Sequence, residues 1–291
     1  MPSIGLIQTF LREIFAIRTL NREPEGDLVM DDAVQVAAYA EAGRIDGVMA
    51  AAYLFHSARI SQTIQGCKSV VDLGCGPATQ LAQIAQLNPD VQFVGVDLSE
   101  AMLSDARAHV DALGLKNVNF RSGDITRLDA FSDQSADGVI STMALHHLPT
   151  LQHLDACFGE IRRVVKPGGA LYLADFGRLK SIESVRFFAD MNAAFQPELF
   201  SLDYERSLRA AFLHDEFRAL SARNFTSNVR VHSTFRVPFL VLIKTADKTL
   251  PDALRQRFTK MAKSLKPRYR SDLSDMRMFF ALGGLRNDPF H

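Results

Sequence analysis

Short apolar runs alternate with amphipathic stretches through the middle of the chain. Runs rich in β-branched residues predict strands near 69–73, 91–97, 117–121, 136–141 and 170–175. Segments of helical periodicity between them predict helices near 79–87, 100–113 and 152–165. Such alternation implies a parallel sheet with helices on both faces. The rhythm differs at the two ends. In residues 1–20, Ile7, Phe10, Leu11 and Ile14 recur at the spacing of a helix that docks on the core or on a second subunit. NREPEG, residues 21–26, reads as a polar break. Two helices opened by aspartates follow, DDAVQVAAYAEAG and DGVMAAAYLFHSARISQTI. Beyond Asp175, residues 181–223 predict Phe-rich helices, 229–245 two strands around a turn near Pro238, and 250–291 a helical tail.

Composition sets limits on this picture. The chain has 291 residues, 47% of them apolar, enough for one large α/β domain with a cap or for two small domains. No run of about twenty apolar residues occurs, so no membrane span is expected. The opening MPSIGLIQTFLREIFAIRTL lacks a basic leader and a small-residue cleavage site, which points to the cytoplasm. Cys67, Cys75 and Cys157 have no metal-binding spacing and give no disulfide framework, so no metal is expected. A formal net charge of zero offers little steering toward nucleic acid, and none is expected as a partner. The run RQRFTKMAKSLKPRYR, which holds seven basic residues and no acid, reads as a solvated face. Its other reading is a dock for an anionic partner such as a carrier protein, a coenzyme A thioester or a phosphate.

The candidate chemistry starts at VVDLGCGPATQ, residues 70–80, a buried strand entering a glycine turn and then a helix. Asp72 ends the strand at the edge where open α/β sheets hold their ligands. Gly74 and Gly76 allow a tight turn with room for a ligand against the main chain. Asp97 closes the second strand about twenty residues on, where an acidic side chain accepts hydrogen bonds from ribose hydroxyls. A dinucleotide fingerprint would carry a third glycine where Thr79 stands, and no Gly-Lys-Ser/Thr ending is present. The turn therefore suits a nucleoside without phosphates.

At these residues the chain resembles the class I S-adenosylmethionine-dependent methyltransferases. The resemblance runs from about Val70 to Asp175. It includes the Gly123–Asp124 pair after the third strand, the fourth strand ADGVISTMALHHLP and the turn in RVVKPGGALYLADF. It implies a doubly wound, Rossmann-like α/β fold: a mostly parallel seven-stranded sheet with an antiparallel last strand and a helical cover. By the same resemblance, Asp72, Gly74, Cys75 and Gly76 hold the methionine end of S-adenosylmethionine, and Asp97 with Leu98 holds the ribose. Gly123, Asp124 and Ile125 reach the adenine, with Ser141 and Thr142 completing the wall; Met102, one turn into the helix after Asp97, is placed to pack against the adenine or to fill the core. The product would be S-adenosylhomocysteine. One departure stands out: Ala78 occupies a place where many members carry a third glycine, and its methyl would narrow the room beside the ligand.

Five segments follow from this reading. Residues 1–65 and 181–228 form helical cover, 66–180 the cofactor-binding core, 229–245 its final hairpin and 246–291 a helical tail that packs outside or mediates a homodimer. His146 and His147, after the fourth strand, are the candidates for proton handling. Tyr39, Tyr53 and His56 are candidates for the pocket lid, with core packing as the competing role for each. The expected activity is methyl transfer to oxygen, carbon or nitrogen of a small acceptor, mainly by in-line positioning. A Phe-rich cover suits an apolar, aromatic or carrier-bound acceptor. STMA, Ser141 to Ala144, lacks the Asn/Asp-Pro-Pro-aromatic run of exocyclic-amine methylation, and the cysteines do not suit arsenite. Two other classes remain: a non-catalytic binder of the cofactor and a nicotinamide oxidoreductase.

Overall fold

Residues 3–17, 19–26 and 47–291 are described by a computed structural model of the chain. The central layer is a seven-stranded sheet in the order β3-β2-β1-β4-β5-β7-β6. Its strands are β1 (Ser69–Leu73), β2 (Gln92–Asp97), β3 (Val118–Ser122), β4 (Ala136–Thr142), β5 (Val165–Phe176), β6 (Arg230–Ser233) and β7 (Leu240–Lys244). β1 to β5 pair in parallel, whereas β7 runs antiparallel to both β5 and β6. The doubly wound arrangement is therefore the one expected. β5 starts earlier than its apolar run. Val165 already pairs with Ala136, and a bulge around the Lys-Pro-Gly-Gly turn restores the register at Gly138 and Ala170.

Ten α-helices are described: α1 (Ile4–Phe15), α2 (Ala50–Thr63), α3 (Thr79–Leu87), α4 (Glu100–Ala112), α5 (Leu151–Val164), α6 (Ile182–Asp190), α7 (Glu198–Ala210), α8 (His214–Asn224), α9 (Asp252–Ser264) and α10 (Pro267–Leu282). Side-chain alternation splits each central strand between two cores. On β1, Val70 enters the core under α2, α3 and α4, while Val71 and Leu73 enter the one under α5 and α8. Strands buried on both faces need continuous apolar runs, which is why these segments read so clearly. Hydroxyl caps start the helices around the sheet: Ser99 for α4, Thr150 for α5 and Ser181 for α6.

Both ends depart from the sequence-level expectation. α1 docks through Leu6, Phe10 and Glu13, whose carboxylate accepts the N–H groups of Lys180 and Ser181. Its Ile7, Leu11 and Ile14 face outward. The C-terminal helices do not lie outside the fold. Phe258, Tyr269, Leu273 and Phe280 are buried in the larger core, and Phe280 stacks on Phe55 of α2 at 5.2 Å. Arg59, also buried, donates to the carbonyls of Arg286 and Asn287. The basic run is partly spent inside the molecule. Arg257 donates to the Gln86 carbonyl and Arg268 lies 3.8 Å over the Phe195 ring. Among the described residues, no helix is long and apolar enough to cross a membrane.

Candidate active site

Strand order reverses between β1 and β4, and a crevice of about 890 Å³ opens at the carboxyl ends there. The glycine loop forms one wall. Gly74 has φ of +70°, and a Cβ on it would fall 2.3 Å from that of Ala144, so the loop packs directly on the end of β4. Gly76 has φ of +51°, and a Cβ there would project into open space. The loop's N–H groups are spent within the protein. Gly74 and Cys75 donate to the Val96 carbonyl, Ala78 donates to Cys75, and Gly76 donates to Asp97 Oδ2 at 2.8 Å. Within the loop from Gly74 to Ala78 no N–H is left over for a phosphate.

Two polar groups of this wall lack partners among the described residues. Gln80 accepts from the Thr142 hydroxyl at 2.9 Å, but its buried Nε2 donates to nothing. The Asp72 carboxyl is buried in the same wall with no protein donor, and burial, then the charge of Asp97, pushes it up to about 8. An amide donor and a carboxyl awaiting a counter-charge are complementary to an amino-acid end group. Asp97 keeps acceptor capacity after binding Gly76 and Ser99, because an ionised carboxylate offers about four lone-pair sites. The residues present therefore fit S-adenosylmethionine: an amino-acid tail at Asp72 and Gln80 and a sugar at Asp97.

Most of the other candidates line the crevice: Cys75, Leu98, Met102, Gly123, Asp124, Ile125, Thr142, His147 and Tyr53. Asp124 Oδ1 is engaged locally by the N–H and hydroxyl of Thr126. Three candidates stand elsewhere. Ser141 points to the opposite face of β4 from Thr142 and donates to the Leu73 carbonyl. His146 is buried, its Nδ1 2.7 Å from Asp175 Oδ1 and its backbone N–H on Oδ2, so it fixes the turn Leu145–His147 that carries its neighbour. His56 lies behind the crevice wall and bonds Tyr172. Tyr39 and the whole segment DDAVQVAAYAEAG, expected as the first aspartate-opened helix, lie outside the described residues. Ala78 does not narrow the crevice: it adopts φ of 57°, and its methyl is buried in the core.

NREPEG is the part of the site that sequence reasoning missed. It is a strap rather than a passive break. The Arg22 guanidinium donates to the carbonyls of His146, Leu148, Pro149 and Ala210 and lies 3.9 Å over Phe212. This anchor sets Glu25 against His147, with Oε2 2.5 Å from Nδ1, while Ser207 of α7 donates to Oε1. Burial alone would raise Glu25, but the hydrogen bond and charge of His147 hold it down at about 2. Burial likewise opposes the charged imidazole, yet Glu25 outweighs it and raises His147 above its ordinary value. Glu25, His146 and His147 bring ligand-type atoms within 4.8 Å of one another, a closeness that the bonds to Asp175 and Glu25 already explain.

Residues 65–208, just under half of the chain, match the family model described as a methyltransferase domain. The arsenite methyltransferase of Aquipseudomonas alcaligenes is 29% identical over 58% of this chain and 46% of its own length. The demethylmenaquinone methyltransferase of Bacillus cytotoxicus is 35% identical over 38% of this chain and 45% of its own. The chain spans less than half the length of the first relatives that it matches. A SAM-dependent methyltransferase from Aquifex aeolicus shares the fold, with a TM-score of 0.52 at 17% identity, covering 74% of this chain and 98% of that one.

Proposed function

We propose that this chain, which belongs to the class I S-adenosylmethionine-dependent methyltransferases, catalyses methyl transfer to an oxygen, carbon or nitrogen of a small organic acceptor. The observation that carries the reading is the pair of unpartnered groups at Asp72 and Gln80, beside a glycine loop with no N–H left for phosphate. That loop chemistry disfavours a nicotinamide dinucleotide. When bound, S-adenosylmethionine supplies a methyl group on a positively charged sulfur, already activated for attack. Asp72 and Gln80 would hold its amino-acid end and Asp97 its ribose. Met102, Gly123, Asp124 and Ile125 would flank the base, and Thr142 would hold Gln80 in place.

His147 is the residue suited to take a proton from the acceptor. It lines the crevice, and Glu25 on Nδ1 leaves the other ring nitrogen for exchange. Glu25 also favours the imidazolium that forms. His146 is a positioning residue, acting through the turn it shares with Asp175. The Glu25–His147 pair in the crevice wall supports turnover over binding alone.

Calorimetry with the cofactor and with S-adenosylhomocysteine tests the reading, followed by transfer of labelled methyl to a pool of small metabolites. Saturable binding of both ligands and label in a small product are the expected results. Absence of binding by a protein freed of carried-over ligand would sink it.

A further inference from the structure

Behind the crevice lies a second cavity of about 160 Å³, and Met143 lines both. Its walls come from helices at both ends of the chain and from the loop before β7. Phe10 stacks on Phe279 at 4.4 Å, and Phe188 on Phe239 at 3.9 Å. Aromatic, methionine and aliphatic side chains make most of the surface, with Asn192, Gln196 and Thr234 among its polar residues. A mostly apolar cavity of about 150 Å³ has room for a benzene-sized ring. The volume therefore fits one six-membered ring with small substituents.

One buried polar side chain on this wall is left with an unsatisfied atom. His56 is 1% exposed, lines the cavity and shares a hydrogen bond of 2.8 Å between Nδ1 and the Tyr172 hydroxyl. Its Nε2 has no partner among the described residues. Leaving such an atom unsatisfied is costly, so a ligand that meets it gains on both counts. Whichever nitrogen carries the hydrogen, a hydroxyl complements Nε2, because it both donates and accepts. Asp272 and Asp275 also line the cavity. They repel anions. Carboxylate-bearing molecules are therefore poor occupants.

We infer that the cavity behind Met143 holds the body of the methyl acceptor, an uncharged apolar ring bearing a hydroxyl that meets His56 Nε2. The assignment rests on the reading of the crevice as the methyl-donor site. Ring and donor would share Met143 as a common wall, past which the acceptor's reacting atom would reach the donor. Met143 itself has φ of 54°, left-handed for a residue with a side chain, and its N–H is held by the Ala174 carbonyl. The backbone under that side chain is thus held in place.

The test uses 4-methylphenol, 4-hydroxybenzoate and toluene as probes of the full chain by calorimetry, after a separate titration with S-adenosylhomocysteine. Expected are saturable binding of 4-methylphenol and at least tenfold weaker binding of 4-hydroxybenzoate. Ala52→Leu, which fills the cavity, should remove 4-methylphenol binding and leave S-adenosylhomocysteine affinity unchanged. If that variant does not fold, Met191→Trp at the rim serves instead. His56→Leu should cost 4-methylphenol about five- to tenfold and leave toluene unaffected, the signature of one lost hydrogen bond. Failure of 4-methylphenol to bind while S-adenosylhomocysteine binds overturns the inference alone. Indifference to both filling variants overturns it too. Failure of S-adenosylhomocysteine to bind strikes the donor reading instead.

Discussion

At the scale of single residues, charge placement decides the behaviour of the crevice. Asp72 rises from 3.8 to about 8 in the folded protein, through burial first and Asp97 second, so the fold binds its proton more tightly than the unfolded chain does. The stability this gives is complete below pH 3.8 and is lost as pH rises through about 8. Asp72→Asn should flatten that decline in a denaturant series run from pH 4 to 9. The same variant should weaken cofactor binding by tenfold or more. In the wild type, binding at neutral pH should release protons, read by calorimetry in buffers of different ionisation enthalpy. His147 and Glu25 behave oppositely. Glu25, lowered from 4.5 to about 2, adds stability above pH 4.5 that fades as pH falls through about 2. His147, raised above 6.5, adds stability below 6.5 that fades as pH climbs through its raised value. The pair therefore stabilises most between pH 4.5 and 6.5. A base must be neutral, so kcat/KM should climb with pH above 6.5 and Glu25→Gln should move that limb to lower pH.

At the scale of elements, the strap and the glycine loop turn separate segments into one site. Arg22 reaches four backbone carbonyls of the segments carrying His147 and α7. Arg22→Ala should cost about 1.5–3 kcal/mol, the range for a hydrogen-bonded charge, measured by urea unfolding. It should lower kcat more than it weakens S-adenosylhomocysteine binding, because Glu25 loses its anchor while Asp72 and Asp97 keep theirs. Equal losses in both would count against the strap's role. Gly74→Ala should be worse for the cofactor, since the new methyl meets Ala144 and the φ of +70° is unfavourable for any side chain. Ala78 is a milder case. Its left-handed φ of 57° costs about 1–2 kcal/mol, partly offset by burial of the methyl in the core.

At the scale of the whole molecule, the C-terminal helices are structural members of the main core. Phe280 is fully buried and stacked on α2, which also supplies Tyr53 to the crevice and His56 to the cavity behind it. Phe280→Ala should therefore cost about 3–5 kcal/mol in equilibrium unfolding, the range for a buried aromatic. A loss under 1 kcal/mol would mean that the tail packs more loosely than described.

How much of this was legible follows from the range of the interactions involved. The strands, their order of appearance and the turn from Asp72 to Gln80 are written in short windows, because burial on both sheet faces forces apolar runs and a tight turn forces glycine. Asp97 is legible for the same reason, as the end of the next strand. The partnership of Glu25 with His147 joins residues 122 positions apart, and no local pattern marks NREPEG as anything but a break. The docked face of α1, the burial of α9 and α10, and the cavity behind Met143 depend on which amphipathic face meets which. The sequence alone determined the fold class and the loop, since each is set by nearest neighbours along the chain. Only the tertiary structure decided what surrounds the reacting groups, because helices packed from opposite ends of the chain build those walls and their periodicity does not name a partner.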